Sequence, residues 1–153
     1  MIHEIFIQGS TIILISNLVL SAFLTGLIWV IQVVHYPLFL RIEPDDFRAY
    51  EQSHQKRISL IVAPVMMVDM TLSLLLVFTK YMDNAQAYLI VAFALNLAVF
   101  ASTVFIFSPI HQKLGKNHDR TMIRKLVRLN IMRTAMWTAR TILLLVVTIK
   151  IFN

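Results

Sequence analysis

Four long apolar runs constrain the fold of this chain more than any other feature of its sequence. They extend from about Thr11 to Leu40, from Ser59 to Phe78, from Ala87 to Phe107 and from Ile131 to Ile151. A bilayer core of about 30 Å is crossed by roughly 20 apolar residues of α-helix, so each run can span a membrane. We therefore predict one all-α domain over residues 1–153, a transmembrane four-helix bundle of up-down-up-down topology.

The composition supports this architecture and excludes several classes of function. Hydrophobic residues make up 58% of the chain, against roughly 45–50% in soluble domains. The absence of cysteine excludes disulfides, thiolate metal sites and dithiol redox chemistry. The net charge is +6, but the basic residues flank the apolar runs and form no face on a soluble body, so we expect no nucleic-acid partner.

Polar helical segments are predicted to lead into the second and fourth spans. Residues 45–57 have the composition of a polar helix that continues into the second span, with Asp45 or Asp46 as the expected N-cap. Asp119 is the corresponding cap of a polar segment before the fourth span.

Lysine and arginine counts predict the orientation of the spans. The first connection carries four basic residues and the third carries six, whereas the second carries only Lys80 and the C-terminal end only Lys150. Connections rich in basic residues stay in the cytoplasm. We therefore expect a protein of the cytoplasmic (inner) membrane with both long connections inside and both termini outside.

Polar side chains within the spans are the candidates for function, because an ionisable group there costs about 2.5–3.5 kcal/mol and normally faces the bundle interior. Three series follow the spacing of a helix face: Gln32, His35 and Tyr36; Phe47, Tyr50, Glu51 and His54; and Asn130, Arg133, Thr134, Trp137 and Arg140. Two depths are predicted: His35, His54, His111, Asn130 and Arg133 near the cytoplasmic ends, and Asp69, Asn96 and Arg140 near mid-membrane. This pattern predicts a polar cavity open toward the cytoplasm.

The cytoplasmic layer has the ligand types of a transition-metal site. Helix-borne imidazoles and carboxylates build metal sites in four-helix bundles, and Glu51 and His54 have the Glu-x-x-His spacing of such sites. We predict that His35, His54 and His111 bind Fe, Zn, Mn or Cu, with Glu51 as a further ligand. Two of the histidines could instead be axial ligands of a haem.

Other polar residues are assigned to the surroundings of this metal. Arg133 is expected to hold an anionic group of the substrate, while Tyr36 and Asn130 supply hydrogen bonds. We assign Gln32, Trp137 and Arg140 to cofactor binding.

Structural interpretations stay open for the same residues. Single histidines near a membrane interface are often solvated, and Arg133 could extend to lipid phosphates. Tyrosine and tryptophan are common at headgroup depth in any membrane protein. Asp69 and Arg140 could form an ion pair with a purely structural role.

Four motifs cover nearly the whole chain. They are Trp29-x-x-Gln32 with His35-Tyr36-Pro37-Leu38-Phe39, Phe47-x-x-Tyr50-x-x-x-His54, Pro109-x-His111-x-x-Leu114, and Leu126-Val127-x-x-Asn130-x-x-Arg133-Thr134-x-x-Trp137-x-x-Arg140. Together they resemble an uncharacterised family of small bacterial four-helix membrane proteins. In size and layout the chain is also remotely similar to anthrone-oxygenase-like membrane proteins and to the four-helix, haem-associated protoporphyrinogen oxidase family. These similarities imply the membrane fold, and no residue role is transferred from them.

The residues favour a membrane-embedded, metal-dependent oxidoreductase that acts on a hydrophobic or lipid-like substrate near the cytoplasmic face. The alternative is a non-catalytic membrane protein that binds haem or a small ligand, or a small transporter or structural subunit. Acyl transfer and nucleotide hydrolysis are disfavoured, since the chain has neither a serine-nucleophile motif nor a phosphate-binding glycine loop. Membrane lipids are the expected surroundings, and association into a homo-oligomer is left open.

Reporter fusions test the predicted topology. Alkaline phosphatase, which is active only outside the cytoplasm, should be active when fused near Lys80 or after Lys150. It should be inactive when fused within residues 41–57 or 113–128, because the basic residues there keep these connections inside. The opposite pattern of activity would contradict the orientation.

Overall fold

The chain forms four long helical segments. The structure, a computed structural model, describes residues 2–79 and 85–152. The first segment comprises α1 (Ile2–Val30), a π-helical turn (Ile31–His35), α2 (Tyr36–Leu38) and a 3-10 turn (Phe39–Arg41). The second is α3 (Pro44–Val77), the third comprises α4 (Gln86–Ser102), a π-helical turn (Thr103–Phe107) and α5 (Ser108–Leu114), and the fourth is α6 (Arg120–Phe152).

These segments pack as an all-α four-helix bundle, as predicted. Helix α1 packs against α3 and α6, and α4 packs against the same two helices, so each segment has two neighbours around the bundle. All four segments are long and apolar enough to cross a membrane. Many of their large apolar side chains point outward, among them Leu60, Phe105 and Met132 at 72%, 77% and 64% exposure. This is the surface of a multi-pass membrane protein, whose outward face meets lipid.

The polar helical segments before the second and fourth spans are continuous with those spans, as the sequence indicates. Helix α3 has 34 residues, or about 51 Å of helix, which exceeds the roughly 30 Å of a bilayer core. The side chain of Asp119 accepts hydrogen bonds from the backbone amides of Thr121 and Met122 at 2.8 and 3.0 Å, so it is the predicted cap of α6. Lys80, used for the orientation, lies outside the described residues.

The predicted cap of α3 is wrong. Glu43 occupies the N-cap position with an extended backbone and no capping side-chain hydrogen bond, and Pro44 is the first helical residue. Asp45 and Asp46 lie in the first turn, where they still complement the helix dipole. Proline begins the helix two residues earlier than expected, because its fixed φ suits the first helical position and its missing N–H is not needed there.

The first and third spans each contain a π-helical turn that is closely followed by a proline. The amide of Tyr36 bonds the carbonyl of Ile31 and the amide of Ser108 bonds that of Thr103, each five residues back. Pro37 and Pro109 follow directly after these amides. Proline clashes with the carbonyl four residues earlier, and in both spans that carbonyl belongs to the π turn. The extra residue in the turn rotates the following segment by about 100° around the helix axis, which changes the direction in which the side chains beyond it point.

A fully buried polar layer crosses the middle of the bundle. It is the central tetrad of Asn17, Asp69, Asn96 and Arg140, one residue from each spanning segment, and all four are 0% exposed. Asp69 accepts hydrogen bonds at its two carboxylate oxygens from Asn17 at 2.9 Å and from Asn96 at 3.0 Å. Arg140 lies 3.1 Å from Asp69 and also donates to the Asn17 side-chain oxygen at 3.1 Å. The tetrad thus joins all four helices.

The central tetrad separates two apolar clusters. On one side lie Leu14, Leu76, Leu89 and Leu144, each from a different segment. On the other side the larger cluster reaches the predicted cytoplasmic end, with members that include Leu24, Met66, Val99 and Trp137. In each helix, therefore, the tetrad residue lies between two apolar stretches, and it lies at the same level as in the other three helices.

Asp69 and Arg140 are expected to depend on each other for stability. Breaking a buried ion pair by removing one partner costs about 3–5 kcal/mol, because the other charge stays buried alone. Asp69→Leu and Arg140→Met should each lower the free energy of unfolding by about this amount, and the double variant by clearly less than the two together. Unfolding in mixed micelles measures this, with Arg128→Met at an exposed position of α6 as the control. Strict additivity of the two changes would show that they do not act as a pair.

Candidate functional site

Three histidines and a glutamate from three segments meet at one end of the bundle. His35 Nε2 lies 2.8 Å from His54 Nδ1, and His111 Nδ1 lies 2.5 Å from Glu51 Oε1. The two pairs are adjacent, since the ring centroids of His54 and His111 are 5.6 Å apart. These four residues, with Tyr36, are called the histidine cluster below. The structure thus brings together all four residues that the sequence predicts as metal ligands.

Tyr36 completes a chain of three groups. Its hydroxyl lies 2.8 Å from His111 Nε2, so both nitrogens of that ring are engaged. An ionised Glu51 accepts only, which makes His111 Nδ1 the donor and leaves Nε2 to accept from the Tyr36 hydroxyl. The carboxylate therefore fixes the tautomer of the imidazole, and the imidazole in turn orients the phenol.

Gln55 supports this chain and was not singled out from the sequence. Its side-chain amide donates to Glu51 Oε1 at 3.3 Å and to the backbone carbonyl of His111 at 2.8 Å. A side chain at Gly115 would approach the same amide to 3.0 Å, so glycine lets the end of α5 lie close to α3. Gln55 lies one turn after Glu51 on the same helix face, and this spacing is the signal that would have identified it.

The cluster is arranged as a hydrogen-bonded chain. Imidazole and carboxylate are suitable ligands for the predicted metals, and Glu51 Oε2 is buried without a hydrogen-bond partner. Within the described residues, however, no group of three or more His, Cys, Asp or Glu side chains is spaced to hold one ion. The ring nitrogens of His35 and His54 face each other at hydrogen-bonding distance. A metal ion or a haem iron bound by both rings would have to replace this hydrogen bond.

A cavity of about 360 Å³ adjoins the cluster. Its polar end is formed by Tyr36, His54, Gln55, His111 and Arg133. The rest is mostly apolar, with walls from α3 and from the third segment that include Val62, Met66, Phe100 and Phe107. Met67 and Val104 also line it and are 56% and 44% exposed, so the cavity opens sideways between these segments toward lipid. The predicted cavity is present, but apart from this end and the hydroxyls of Ser59, Thr103 and Ser108 its lining is apolar.

Arg133 is a buried cation on the wall of this cavity. It is 7% exposed, and its guanidinium carbon lies 4.2 Å from the centroid of the Phe107 ring. The Arg133 guanidinium also lies beside the Tyr36 hydroxyl. Ion pairs in the described part of the chain are Glu51 with His111 and Asp69 with Arg140, so Arg133 has no carboxylate partner there. Its Nε is buried without a hydrogen bond.

The other predicted site residues lie apart from the cluster. Asn130 donates to Gln32 at 2.9 Å, and Gln32 donates to the carbonyl of Val127 at 3.3 Å, so this pair ties the first segment to α6. Arg140 belongs to the central tetrad, where Asp69 neutralises its charge. Trp137 is 2% exposed and its ring lies 5.4 Å from the Arg140 guanidinium carbon. Gln32, Asn130 and Arg140 thus make contacts between helices, the Trp137 contact with Arg140 lies within α6, and the part of all four in cofactor binding or catalysis stays a prediction.

A second cavity lies on the other side of the two hydrogen-bonded histidines. It is lined by residues that include His35, Tyr50, Ser53, His54 and Arg57, and it has a volume of about 360 Å³. His54 lines both cavities. The hydrogen bond between His35 and His54 therefore stands between an exposed recess and the buried polar end of the first cavity.

The polar residues of the first span were missed in the sequence. Asn17 belongs to the central tetrad, and Ser21 and Thr25 bond the Thr141 hydroxyl at 2.7 and 2.8 Å. Asn17, Ser21 and Thr25 are spaced four residues apart, which is the pattern of one helix face. That spacing marks the face on which α1 packs against α6.

Comparison of the chain with protein-family models, with curated proteins and with solved structures finds no match. The geometry of the histidine cluster and its cavity is therefore the basis for a functional assignment.

Nitrogen-15 NMR of histidine-labelled protein should show His111 as the Nδ1–H tautomer, because Glu51 accepts from that nitrogen. Tyr36→Phe should leave this tautomer in place, since it removes only the donor at Nε2. Glu51→Leu should abolish the preference. Tyr50→Phe, at an exposed position of the same helix face, serves as the control and should change nothing. An Nε2–H tautomer in the unmodified chain would refute the proposed order of donors.

Proposed function

We propose that this chain is a membrane-embedded enzyme that acts on a hydrophobic or lipid-like molecule, by metal-dependent oxidation in a cavity near the cytoplasmic face. One observation carries the proposal. The histidine cluster gathers ionisable groups from three helical segments at the only strongly polar end of a cavity that otherwise has apolar walls. Helices held together merely by polar contacts would not require such a cavity beside those contacts.

The cavity is suited to a substrate that arrives through the bilayer. Its volume of about 360 Å³ falls within the roughly 300–1,000 Å³ typical of small-molecule sites. Its mouth lies between Met67 and Val104 on outward-facing helix surfaces. A lipid-soluble molecule entering there would place its polar group against Tyr36, His111 and Arg133.

The chain's own groups can move a proton at this position. The Tyr36 hydroxyl borders the cavity and is bonded to His111, which is bonded in turn to Glu51. While His111 Nε2 carries no metal, Tyr36 can accept a proton from the substrate as it passes its own proton on to that nitrogen, and Glu51 stabilises the resulting imidazolium. The Arg133 guanidinium beside the hydroxyl favours negative charge on the polar group of the substrate. Proton transfer of this kind accompanies the removal of electrons from hydroxyl-bearing compounds.

A transition metal bound at the cluster is the proposed acceptor of the electrons that the substrate loses, with dioxygen as the final oxidant. His35, His54 and His111 would hold it together with Glu51, whose unpartnered Oε2 is a free acceptor for a cation. Binding requires His35 and His54 to exchange their mutual hydrogen bond, and His111 its bond to Tyr36, for bonds to the ion, so His111 Nε2 serves either the proton relay or the metal. When bound, a redox metal supplies electron transfer between substrate and oxidant.

A non-catalytic role is the second candidate, and the hydrogen bonds of the cluster favour it. In the described residues the proposed ligands are already bonded to one another in pairs, as the 2.8 Å contact between His35 and His54 illustrates. The cavity would then bind a small ligand, or the chain would act as a subunit of a transporter. This candidate requires a stable protein that is free of metal.

Elemental analysis and an absorption spectrum of the detergent-purified chain test the metal. We expect about one transition-metal ion per chain, and its loss in His54→Ala and His111→Ala because each removes a proposed ligand. His118→Ala is the matched control, since this ring packs at 4.8 Å on Phe47, outside the cluster. Dioxygen uptake on addition of a membrane lipid extract should follow the metal content. A pure, stable protein without stoichiometric metal would overturn metal-dependent oxidation and leave the non-catalytic candidate.

A further inference from the structure

Arg133 identifies the chemical class of the molecule that occupies the cavity. We infer that the cavity binds a single-chain amphiphile whose head carries one negative charge, a long-chain carboxylate, with the head on Arg133 and the chain directed toward lipid. This inference rests on the proposal that the cavity is the substrate site, and it specifies the substrate beyond that proposal.

The burial of the guanidinium requires an anion. Arg133 is 93% buried, its Nε has no hydrogen-bond partner, and no carboxylate pairs with it in the described part of the chain. An isolated buried charge is strongly unfavourable, whereas the planar guanidinium binds a carboxylate through two parallel hydrogen bonds. The Phe107 ring under the guanidinium stabilises its charge but supplies no counter-ion. The free space that can accept a counter-ion is the cavity that Arg133 lines.

The number of charges selects a monoanion. Arg133 is the one arginine or lysine among the residues that line the cavity, and no aspartate or glutamate lines it. A carboxylate head would be neutralised by this single guanidinium. A phosphate monoester with two negative charges would leave one of them uncompensated next to apolar walls.

The shape of the cavity selects a single chain. Its lining on α3 extends from His54 to Met67, which is thirteen residues or about 20 Å of helix. A volume of about 360 Å³ distributed along such a length forms a narrow slot. Met67, the last of these lining residues along α3, is exposed, so the tail of a bound chain leads out into the bilayer.

Equilibrium binding of radiolabelled palmitate to the purified full-length chain in detergent tests this inference. Hexadecanol and hexadecyl phosphate have the same chain with a neutral and a doubly charged head, and serve as competing ligands. We expect palmitate to bind at least tenfold more tightly than either of them. Equal affinity for hexadecanol, or tighter binding of hexadecyl phosphate, would overturn the assignment of a monoanionic head.

Variants locate the binding site. Arg133→Gln should lower the affinity for palmitate at least tenfold and remove its advantage over hexadecanol, whereas Arg128→Gln, an equal change of charge at an exposed site on α6, should not. Met66→Trp fills the apolar part and should weaken palmitate and hexadecanol alike, which gives a second test if Arg133→Gln fails to fold. Unchanged palmitate binding in either cavity variant would place the ligand elsewhere and refute the inference.

The two proposals fail in different experiments. Palmitate binding that depends on Arg133, in a protein that holds no metal and takes up no dioxygen, would refute the enzyme while supporting the ligand. Metal-dependent dioxygen uptake with no preference for palmitate over hexadecanol would refute the ligand while supporting the enzyme.

Discussion

The buried ion pair between Asp69 and Arg140 is the interaction on which the rest of the bundle depends. Each charge alone would be strongly unfavourable at this depth, and their attraction offsets this only when the remaining polar atoms are also bonded. Asn17 and Asn96 supply such bonds to both Asp69 oxygens and to Arg140 Nη2 from the other two helices, while Arg140 Nε and Nη1 have no partner among the described residues. Apolar contacts tolerate sliding, because lipid tails solvate a leucine as well as a neighbouring helix does. The central tetrad does not, and so it sets the relative height of all four helices.

That fixed height explains why the histidine cluster forms. His54 lies fifteen residues before Asp69 on α3, and His111 lies fifteen residues after Asn96. Antiparallel helices aligned at Asp69 and Asn96 therefore bring the two histidines to the same level, about 22 Å from the tetrad. The π turns then adjust direction: one precedes Tyr36 and the other precedes His111, so each span is rotated just before the residue that it delivers to the cluster. The central tetrad therefore sets the level of the cluster residues along the bundle axis. The π turns set the direction in which their side chains point.

The two buried arginines of α6 show how similar residues acquire different roles. Arg140 and Arg133 are seven residues apart on one helix face and both are buried. Arg140 has Asp69 as its counter-ion and stabilises the fold. Arg133 lies against the Phe107 ring and beside the Tyr36 hydroxyl on the wall of a cavity, and no carboxylate of the described residues pairs with it. Among the described residues, the position of Asp69 decides which of the two arginines is paired with a carboxylate inside the bundle.

The sequence by itself determined the four spans, the polar lead-ins, the Asp119 cap and the inward face of α6, because these depend on apolar length and on spacing along one helix. It also placed His35, Glu51, His54 and His111 at one end of the bundle. Only the tertiary structure decided how they bond: Glu51 faces His111, His54 faces His35, and the cavity beside them is mostly apolar. These outcomes depend on contacts between residues 19 to 60 positions apart and on two π turns, and helical periodicity carries no information about either. Asn17 and Gln55 were overlooked although each shares a helix face with other polar residues, because spacing marks the face and only packing shows which partner the amide bonds.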